Sequence, residues 1–302
     1  MVNISINNSY ALYGAILYLI ENYQASIQIE NCVFSNNSAY YTLIDSGTSI
    51  ISINNTLIEN NTNNLFSLVE ATLVLISSKI NNLICYTNLP GCILEAEQAS
   101  TIQIQSSYFG NVTSSIEEGN FYFDSSTVYA DSMTMNTLKT PKTGSCVVSY
   151  SCDLNFVSSS FVNYEINCIS SFQSNINLNN TIFDNSENKK FQIVLDYGSV
   201  YCFSCNQVII FNTSFIKNSN TMNGSAIYIV ANIIDKLEAV IINSSIFYGN
   251  VASGDGTIYI YNQNFSILSS NFTNNLAQSG GGIFCDNDGF IFIINFYMIF
   301  LF

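Results

Sequence analysis

Residues 264–284 read Asn-Phe-Ser-Ile-Leu-Ser-Ser-Asn-Phe-Thr-Asn-Asn-Leu-Ala-Gln-Ser-Gly-Gly-Gly-Ile-Phe and are the clearest copy of a unit that recurs along the chain. The unit opens with alternating apolar residues that end in Asn or Ser. An aromatic residue follows, with Asn two or three positions later. A polar turn then leads through a small residue into a second apolar run. Such self-similarity is typical of repeat architectures.

The first apolar alternation of the unit recurs along the whole chain. Its copies are Val2–Asn7, Ser26–Asn31, Ile50–Asn55, Leu73–Ser78, Thr101–Ser106, Val128–Asn136, Leu154–Ser159, Asn175–Asn180, Val208–Asn212, Val240–Asn243, Phe265–Ser270 and Ile291–Asn295. A period of two places apolar side chains on one face of a strand and polar side chains on the other. Helical periodicity is absent, and β-branched and aromatic residues dominate. The sequence therefore predicts strands and turns almost throughout.

Alignment of the copies predicts three ladders of equivalent residues. The polar ladder is Asn31, Asn55, Ser78, Ser106, Asn180, Asn212 and Asn243. The apolar ladder is Phe34, Ile58, Ile80, Phe109, Phe161, Phe183, Phe215, Phe247 and Phe272. The third ladder is Ala15-Ile16, Cys92-Ile93, Cys146-Val147, Ala226-Ile227, Thr257-Ile258 and Gly282-Ile283. Stacked repeats place equivalent residues about 4.8 Å apart, and a buried Asn suits a polar ladder because its amide both donates and accepts hydrogen bonds.

The predicted fold is all-β. It is a single-stranded right-handed parallel β-helix of about twelve coils, forming one continuous domain over residues 1–302. A leucine-rich repeat would also supply a strand and an Asn in each unit. That fold requires recurring Leu and a helical half, whereas here a second apolar run follows the small residue.

Two motifs give the repeat a family resemblance. The step Phe-x-x-Asn occurs at Phe34–Asn37, Phe215–Asn218, Phe247–Asn250 and Phe272–Asn275, and a step like Gly-Gly-Ala-Ile occurs at Tyr13–Ile16, Asn223–Ile227 and Ser279–Ile283. Both steps resemble the repeat of polymorphic outer-membrane proteins, which belongs to the pectin-lyase-like β-helix class found in surface adhesins. The resemblance implies a cell-surface or secreted protein, and it specifies a fold better than an activity.

The composition narrows the choice of partners. The net charge is −14, only 9 % of the residues are charged, and all seven basic residues are Lys. Nucleic acid and anionic membrane surfaces are therefore not expected partners, because both require a basic surface. The sequence does not identify a partner. Exposed Asn, Gln, Ser and Tyr on strand faces suit glycans or cell-surface proteins.

Both ends of the chain are expected to be cut from a longer protein. Val2–Ile6 already alternates like a strand and does not resemble a signal peptide. Residues 290–302 are almost wholly apolar but shorter than the about 20 residues of a membrane-spanning helix. They are interpreted as a terminal coil or a truncated membrane segment, so a membrane anchor is expected only there or outside this chain.

The cysteines are interpreted as structural. They are Cys32, Cys85, Cys92, Cys146, Cys152, Cys168, Cys202, Cys205 and Cys285, an odd number that leaves at least one outside a disulfide. Cys202 and Cys205 have the spacing of redox and zinc sites, but no second pair and no His completes a zinc site. Buried thiols or local disulfides are expected instead.

No catalytic residue, metal site or cofactor is predicted. Enzymes of the β-helix class resemble one another in using Arg, Lys or His beside Asp, and this chain has neither Arg nor His. Glu95-Ala-Glu97 and Glu117-Glu118 are interpreted as solvated turn charges, and Asp286–Gly289 lacks the Glu that completes a calcium loop. The other acidic residues considered, none expected to recur at one position of successive coils, are Asp45, Glu59, Glu70, Asp124 and Asp196.

The expected function is therefore that of a non-enzymatic structural or adhesive stalk. The alternative is a carbohydrate-active β-helix enzyme whose catalytic residues are degenerate or missing. Glycosylation sequons begin at Asn3, Asn7, Asn36, Asn54, Asn60, Asn111, Asn179, Asn212, Asn223, Asn243, Asn264 and Asn271. Of these, Asn60, Asn111 and Asn223 are predicted to lie in turns and to be the acceptors if the chain is secreted.

Overall fold

The computed structural model describes residues 5–12, 14–19, 25–86, 90–115, 119–139, 144–164, 167–185, 198–220, 222–231, 240–286, 291–294 and 297–299. These residues form parallel strands and corners, without a helix, in a β-solenoid of about nine turns. The predicted fold class is confirmed. The number of turns is slightly below the expected twelve or so. The chain divides into two compact units, Met1–Cys152 and Asp153–Phe302.

The strands of the first unit are short and follow one another with little intervening chain. They are β1 (Ser5–Asn7), β2 (Tyr10–Ala11), β3 (Leu17–Leu19), β4 (Ser26–Glu30), β5 (Val33–Ser35), β6 (Ser38–Gly47), β7 (Ile50–Asn54), β8 (Leu57–Glu59), β9 (Thr62–Val69), β10 (Thr72–Ile76), β11 (Lys79–Asn81), β12 (Ile84–Cys85), β13 (Leu94–Glu97), β14 (Thr101–Gln105), β15 (Tyr108–Ser114), β16 (Phe121–Asp124), β17 (Thr127–Asp131), β18 (Thr134–Lys139) and β19 (Ser145–Tyr150).

The second unit repeats the same pattern. Its strands are β20 (Asp153–Val157), β21 (Ser160–Val162), β22 (Asn167–Phe172), β23 (Asn175–Asn179), β24 (Ile182–Asp184), β25 (Val200–Phe203), β26 (Gln207–Phe211), β27 (Ser214–Ile216), β28 (Ser219–Asn220), β29 (Ile227–Val230), β30 (Val240–Asn243), β31 (Ile246–Tyr248), β32 (Val251–Ala252), β33 (Ile258–Tyr261), β34 (Phe265–Leu268), β35 (Asn271–Thr273), β36 (Ile283–Asp286), β37 (Ile291–Ile294) and β38 (Tyr297–Ile299).

A turn contains three strand positions rather than the two runs that the sequence displays. In the first unit, β4, β7, β10, β14 and β17 occupy the first position and pair in register. The aromatic step forms the short second-position strands, such as β5 and β8, and the run after the small residue forms third-position strands, such as β13 and β16. One predicted copy is misplaced. Ser5–Asn7 pairs with Val33–Ser35, so it belongs to the second position.

The second unit has the same three positions. Strands β20, β23, β26, β30, β34 and β37 occupy the first, and β21, β24, β27, β31, β35 and β38 the second. Strands β22, β25, β29, β33 and β36 occupy the third. Of the apolar segment 290–302, residues 291–294 and 297–299 are described, and they pair as strands with β34 and β35. The rest of that segment lies outside the described residues.

The apolar ladder is confirmed as the core of both units. All its members are buried, and pairings such as Phe34 with Ile58 and Phe215 with Phe247 follow the predicted order. In the second unit the phenyl rings stack face to face, with centroids 4.9 Å apart for Phe183 and Phe215 and 5.0 Å for Phe215 and Phe247. These separations match the spacing of neighbouring strands, so strand pairing itself brings the rings into contact.

The buried polar ladder lies one residue beyond the predicted one. Asn31, Asn55, Ser106, Asn180 and Asn212 are exposed corner residues with φ between 47° and 52°. Asn tolerates this left-handed conformation better than most residues. Of the predicted ladder, Ser78 is buried and Asn243 half-buried.

Buried hydroxyls form the true polar ladder at the residue after the corner. Thr56 N donates to Ser78 Oγ at 3.2 Å, and Ser78 N donates to Ser107 Oγ at 3.2 Å. In the second unit Thr213 N donates to Ser245 Oγ at 3.2 Å, so the same link recurs there. Each hydroxyl supplies an acceptor for a backbone N–H at a place where the strand ladder is interrupted.

The Asn of the Phe-x-x-Asn step links each turn to the one before it. Asn250 Nδ2 donates to the carbonyl oxygen of Phe215 at 3.0 Å, and Asn275 Nδ2 donates to that of Phe247 at 2.8 Å. Asn250 Oδ1 also accepts from the backbone N–H of Asn218 at 2.9 Å. In the first unit Asn61 Nδ2 reaches the carbonyl of Phe34 at 3.0 Å. In the turns that carry it, the motif therefore pairs one core side chain with one amide that bonds the preceding turn.

The small-residue ladder is in register only in part. Ile227 pairs with Ile258, which pairs with Ile283, as predicted. In the first unit, however, Leu94 rather than Ile93 shares a row with Val147 through Phe121. The copies Ala15-Ile16 and Cys92-Ile93 are thus both one residue out of alignment, since Leu17 and Leu94 occupy the row instead.

The cysteines are structural, as predicted. Cys85 is bonded to Cys92, and Cys202 is bonded to Cys205. The thiols of Cys32, Cys146, Cys152 and Cys168 are buried, and that of Cys285 is half-buried. Burial raises the pKa of Cys285 to about 11, so this thiol stays protonated at neutral pH.

Candidate binding face

An outward-facing aromatic surface covers the third-position strands of the second unit. We call it the aromatic face. It consists of Phe172, Tyr201, Phe203, Tyr228, Val230, Tyr259, Tyr261 and Phe284. The three central strands that carry it, β25, β29 and β33, alternate: Val200, Ile227 and Ile258 are buried, and the residue after each points outward. In-register pairing then collects the outward residues into two parallel rows.

The first row is a stack of rings. Tyr228 and Tyr259 have ring centroids 4.8 Å apart with planes 8° from parallel. Tyr259 and Phe284 follow at 5.5 Å and 7°, and Tyr201 lies 5.7 Å from Tyr228. Since the faces of the central rings cover one another, a partner meets the ring edges and the phenol groups. The row therefore presents hydroxyls that repeat once per turn.

The second row is more open. Phe203 is 40 % exposed and Tyr261 is 37 % exposed. Phe172 closes one end, with its ring 5.7 Å from that of Tyr201 and 6.4 Å from that of Phe203. Soluble proteins seldom leave contiguous aromatic residues on a surface unless that surface binds something. The two rows together therefore define the candidate binding face.

The charges around the aromatic face are negative. Burial, followed by the carboxylates of Asp286 and Asp255, raises the pKa of Tyr259 above its ordinary value. The phenol thus stays protonated at neutral pH and is able to donate a hydrogen bond. An anionic partner would be repelled by the same carboxylates.

The third-position strands of the first unit carry a different surface, which we call the acidic face. It consists of Asp45, Ser67, Glu95, Glu97, Tyr122, Asp124 and Tyr150. Asp45 pairs with Ser67, which pairs with Glu95, so two carboxylates share one row. One prediction is therefore wrong: Glu95 and Glu97 lie on β13 rather than in a turn. Asp45 and Glu95 share a row but not successive turns, because Ser67 lies between them.

Glu95 is the perturbed member of the acidic face. Its half-buried position raises its pKa to about 7, and the negative charges of Glu97 and Asp45 act in the same direction. A hydrogen bond from Ser67 opposes this shift because it stabilises the carboxylate. Beside it, burial and the neighbouring Asp124 raise the pKa of Tyr122 to about 12. At neutral pH, Glu95 is therefore partly protonated.

We expect Glu95 to make stability fall as the pH rises. Because the folded pKa is about 7, above its ordinary 4.5, the folded state holds this proton more tightly than the unfolded chain. The free energy of unfolding should decrease by about 2 kcal/mol between pH 4.5 and 7, allowing for the partial exposure of the carboxyl group, and level off above. Urea titrations across this range check the result, and Glu95→Gln should remove this contribution.

Two further variants separate the causes of the raised pKa of Glu95. Ser67→Ala should raise the pKa further, since it removes a bond to the carboxylate, whereas Glu97→Gln should lower it. The carboxyl carbon of Glu95 reports both changes in a nuclear magnetic resonance titration. A midpoint near pH 4.5 in the unmodified protein would contradict the half-buried environment described here.

Glu59 and Glu70 do not join either face, whereas Asp286 pairs with Tyr261 at the end of the second aromatic row. Glu59 lies on second-position strand β8, and Glu70 is a corner residue with φ 52°. Glu117, Glu118 and Asp196 lie outside the described residues, as does most of Asp286–Gly289. Within the described ranges, no group of three His, Cys, Asp or Glu residues is placed to hold a metal ion. Over the same ranges, no helix is long and apolar enough to cross a membrane.

The sequence contains a signal for the aromatic face that the three predicted ladders do not include. An aromatic residue directly follows the small–apolar pair in Ser199–Tyr201, Ala226–Tyr228, Thr257–Tyr259 and Gly282–Phe284. Because an inward apolar residue fixes its neighbour outward, this recurrence predicts an exposed aromatic row.

Comparison with known proteins gives one partial likeness. No family model and no solved structure matches the chain. A curated relative is the metabotropic glutamate receptor-like protein R of Dictyostelium discoideum, which is 28 % identical over 131 residues. The match covers 43 % of this chain and 7 % of that protein, so the chain spans only a small part of the relative's length.

Proposed function

We propose that this chain is a non-enzymatic binding module of a surface or secreted protein, and that it binds neutral glycans through the aromatic face. The observation that carries the proposal is the row Tyr201, Tyr228, Tyr259 and Phe284, which repeats phenol groups and ring edges at the spacing of the turns. A polymer of hydroxyl-bearing units can make the same contact at each repeat. Repetition of weak contacts raises the overall affinity by about 10²–10⁴.

The charge distribution favours a neutral ligand over an acidic one. The chain has a net charge of −14, and Asp255 and Asp286 flank the tyrosine row. Uronate-rich polymers would be repelled, and no Arg is present to bind their carboxylates. Neutral sugars need only hydrogen-bond donors and apolar ring edges, both of which the aromatic face offers.

Three observations support a location outside the cell. Two disulfides, Cys85–Cys92 and Cys202–Cys205, are typical of oxidising compartments. The curated relative is named as receptor-like, which fits a surface protein. The Phe-x-x-Asn and Gly-Gly-Ala-Ile-like steps resemble the repeats of surface adhesins, and this resemblance to polymorphic outer-membrane proteins and the pectin-lyase-like class remains a prediction.

We expect the double variant Tyr228→Ala/Tyr259→Ala to weaken glycan binding at least about tenfold, which corresponds to about 1.4 kcal/mol. Both rings lie at the centre of the stack, so their loss separates the remaining aromatic residues. Binding is measured by affinity electrophoresis against neutral glucans, xylans and mannans, with polyuronates as the acidic comparison. The matched control is Tyr248→Ala, an exposed tyrosine on a second-position strand.

Several results would contradict this proposal. Equal binding by the double variant and the unmodified protein would exclude the aromatic face as the binding site. Tighter binding to polyuronates than to neutral polysaccharides would contradict the argument from charge. If no polysaccharide binds but purified cell-surface ectodomains do, the ligand class is protein rather than glycan.

A second candidate function rests on Glu95. A carboxyl group with a pKa of about 7 is suited to general acid catalysis, and Glu97 on the same strand could serve as its partner. This is the carbohydrate-active alternative. It requires that the same polysaccharides yield new reducing ends on incubation and that Glu95→Gln abolishes them. Products that persist in this variant would exclude Glu95 as the acid.

A further inference from the structure

Three glycosylation sequons of the first unit begin at the same corner of the solenoid. Asn36, Asn60 and Asn111 are exposed, and each has a left-handed backbone with φ of 56°, 54° and 52°. The corner directly follows β5 and β8, and on the later turn it falls at Asn111 within β15, since Phe34 pairs with Ile58 and Ile80 with Phe109. The three acceptor amides therefore lie in one line along the first unit.

The side-chain contacts at this corner leave the acceptor nitrogens usable. Asn60 Oδ1 accepts a hydrogen bond from Asn82 Nδ2 at 3.0 Å, which engages the oxygen of Asn60 and not its nitrogen. Asn111 Nδ2 donates to Asn81 Oδ1 at 3.2 Å and has a second N–H. An N-linked sugar replaces one amide hydrogen and keeps the other, so it is compatible with both contacts.

Several other sequons are less accessible, although Asn7, Asn212 and Asn271 are also exposed. Asn54, Asn179 and Asn243 are half-buried at the ends of first-position strands. Asn223, expected to be an acceptor, is also half-buried, and its Oδ1 accepts a hydrogen bond from the N–H of Asp255 at 2.7 Å. Asn223 therefore holds a loop together rather than projecting from it.

We propose that the corner of Asn36, Asn60 and Asn111 is an N-glycosylation site in which only one of the neighbours Asn36 and Asn60 is occupied on any one molecule. The inference rests on the extracellular location proposed above. In this modification Asn Nδ2 forms a bond to the anomeric carbon of an oligosaccharide carried on a polyprenyl diphosphate. The anomeric C–O bond breaks, the lipid diphosphate leaves, and the amide gives up one proton.

The spacing of the turns is the reason that Asn36 and Asn60 are not both occupied on one molecule. Asn36 and Asn60 lie on adjacent turns, about 4.8 Å apart, which is narrower than a branched oligosaccharide. Asn111 lies two turns beyond Asn60, about 10 Å away, because the turn carrying Asn82 intervenes. Asn111 therefore accepts a glycan independently, whereas Asn36 and Asn60 compete.

The glycans would leave the third-position strands uncovered. Within the parts of the chain that the structure describes, no sequon begins on the outward rows of the acidic face or the aromatic face.

The test expresses the 302-residue chain behind a cleavable secretion leader in a eukaryotic host. Enzymatic release of the glycans in heavy-oxygen water converts each occupied Asn to labelled Asp, which mass spectrometry locates. Lys79 is the first lysine of the chain, so cleavage after lysine keeps Asn36 and Asn60 on one fragment. The expected result is label at Asn111 and at either Asn36 or Asn60, with no fragment labelled at both.

A variant sharpens the test. Asn60→Gln should increase the occupancy of Asn36, because it removes the competing acceptor, and Asn212→Gln in the second unit should leave it unchanged. Fragments labelled at both Asn36 and Asn60, or an unlabelled Asn111 in the secreted protein, would overturn the inference. Since the added leader supplies the location, such a result does not bear on the proposed glycan-binding function.

Discussion

Replacing Phe247 by alanine is expected to lower the free energy of unfolding by about 3–5 kcal/mol. The ring of Phe247 is fully buried and stacks between Phe215, at 5.0 Å, and Phe272, at 4.4 Å. Its removal leaves a cavity that strand pairing prevents from closing, because the neighbouring rings are held on their own turns. Chemical denaturation followed by tyrosine fluorescence and circular dichroism measures the loss.

The matched control is Phe203→Ala, the same change on the outside of the second unit. Phe203 is 40 % exposed, so its loss should cost about 1 kcal/mol or less. If the two variants were equally destabilised, the assignment of inward and outward rows would be wrong.

Replacing Asn250 by alanine is expected to cost about 3 kcal/mol, although it removes few apolar atoms. Asn250 accepts from the backbone N–H of Asn218 and donates to the carbonyl of Phe215, and its amide also bonds Asn275. Its loss leaves the N–H of Asn218 and the carbonyl of Phe215 without these hydrogen bonds, in an interior that water does not reach. Equilibrium unfolding gives the magnitude, and hydrogen exchange at the Asn218 amide should accelerate in the variant.

Asn206→Ala provides the comparison for this second variant. Asn206 is exposed, and its Nδ2 makes a 3.4 Å contact with the carbonyl of Gln173. Water can replace that contact, so the expected cost is within about 0.5 kcal/mol. A mild effect at Asn250 would show that its buried partners find other hydrogen bonds.

The fold was predictable because its core repeats with a fixed local spacing. Each Phe-x-x-Asn step places a ring inward and an amide three residues later, so the aromatic ladder from Phe215 to Phe272 could be predicted directly. The polar ladder was displaced by one residue for a physical reason. Asn and Ser are suited both to buried polar ladders and to left-handed corners. Only the backbone conformation of Asn31 and Asn55 distinguishes the two roles.

The two faces were harder to predict because third-position strands follow loops of unequal length. The disulfide-closed loop between Cys85 and Cys92 precedes Glu95, so sequence spacing gives no hint that Asp45 and Glu95 share a row. The shift in the pKa of Glu95 likewise depends on neighbours contributed by other turns. The tyrosine row was accessible to sequence analysis, because a fixed small–apolar–aromatic pattern precedes it.

The link from each buried Asn to the carbonyl one turn earlier has an evolutionary consequence. Asn250 needs only the turns that carry Phe215 and Asn275. Asn61 makes two bonds to the preceding turn, where it donates to the carbonyl of Phe34 and accepts from the N–H of Asn37. A whole turn could therefore be duplicated or deleted without leaving any of these amides without a partner. Gene segments of one repeat length would be interchangeable parts, and related chains would differ in how many they contain rather than in how each is built.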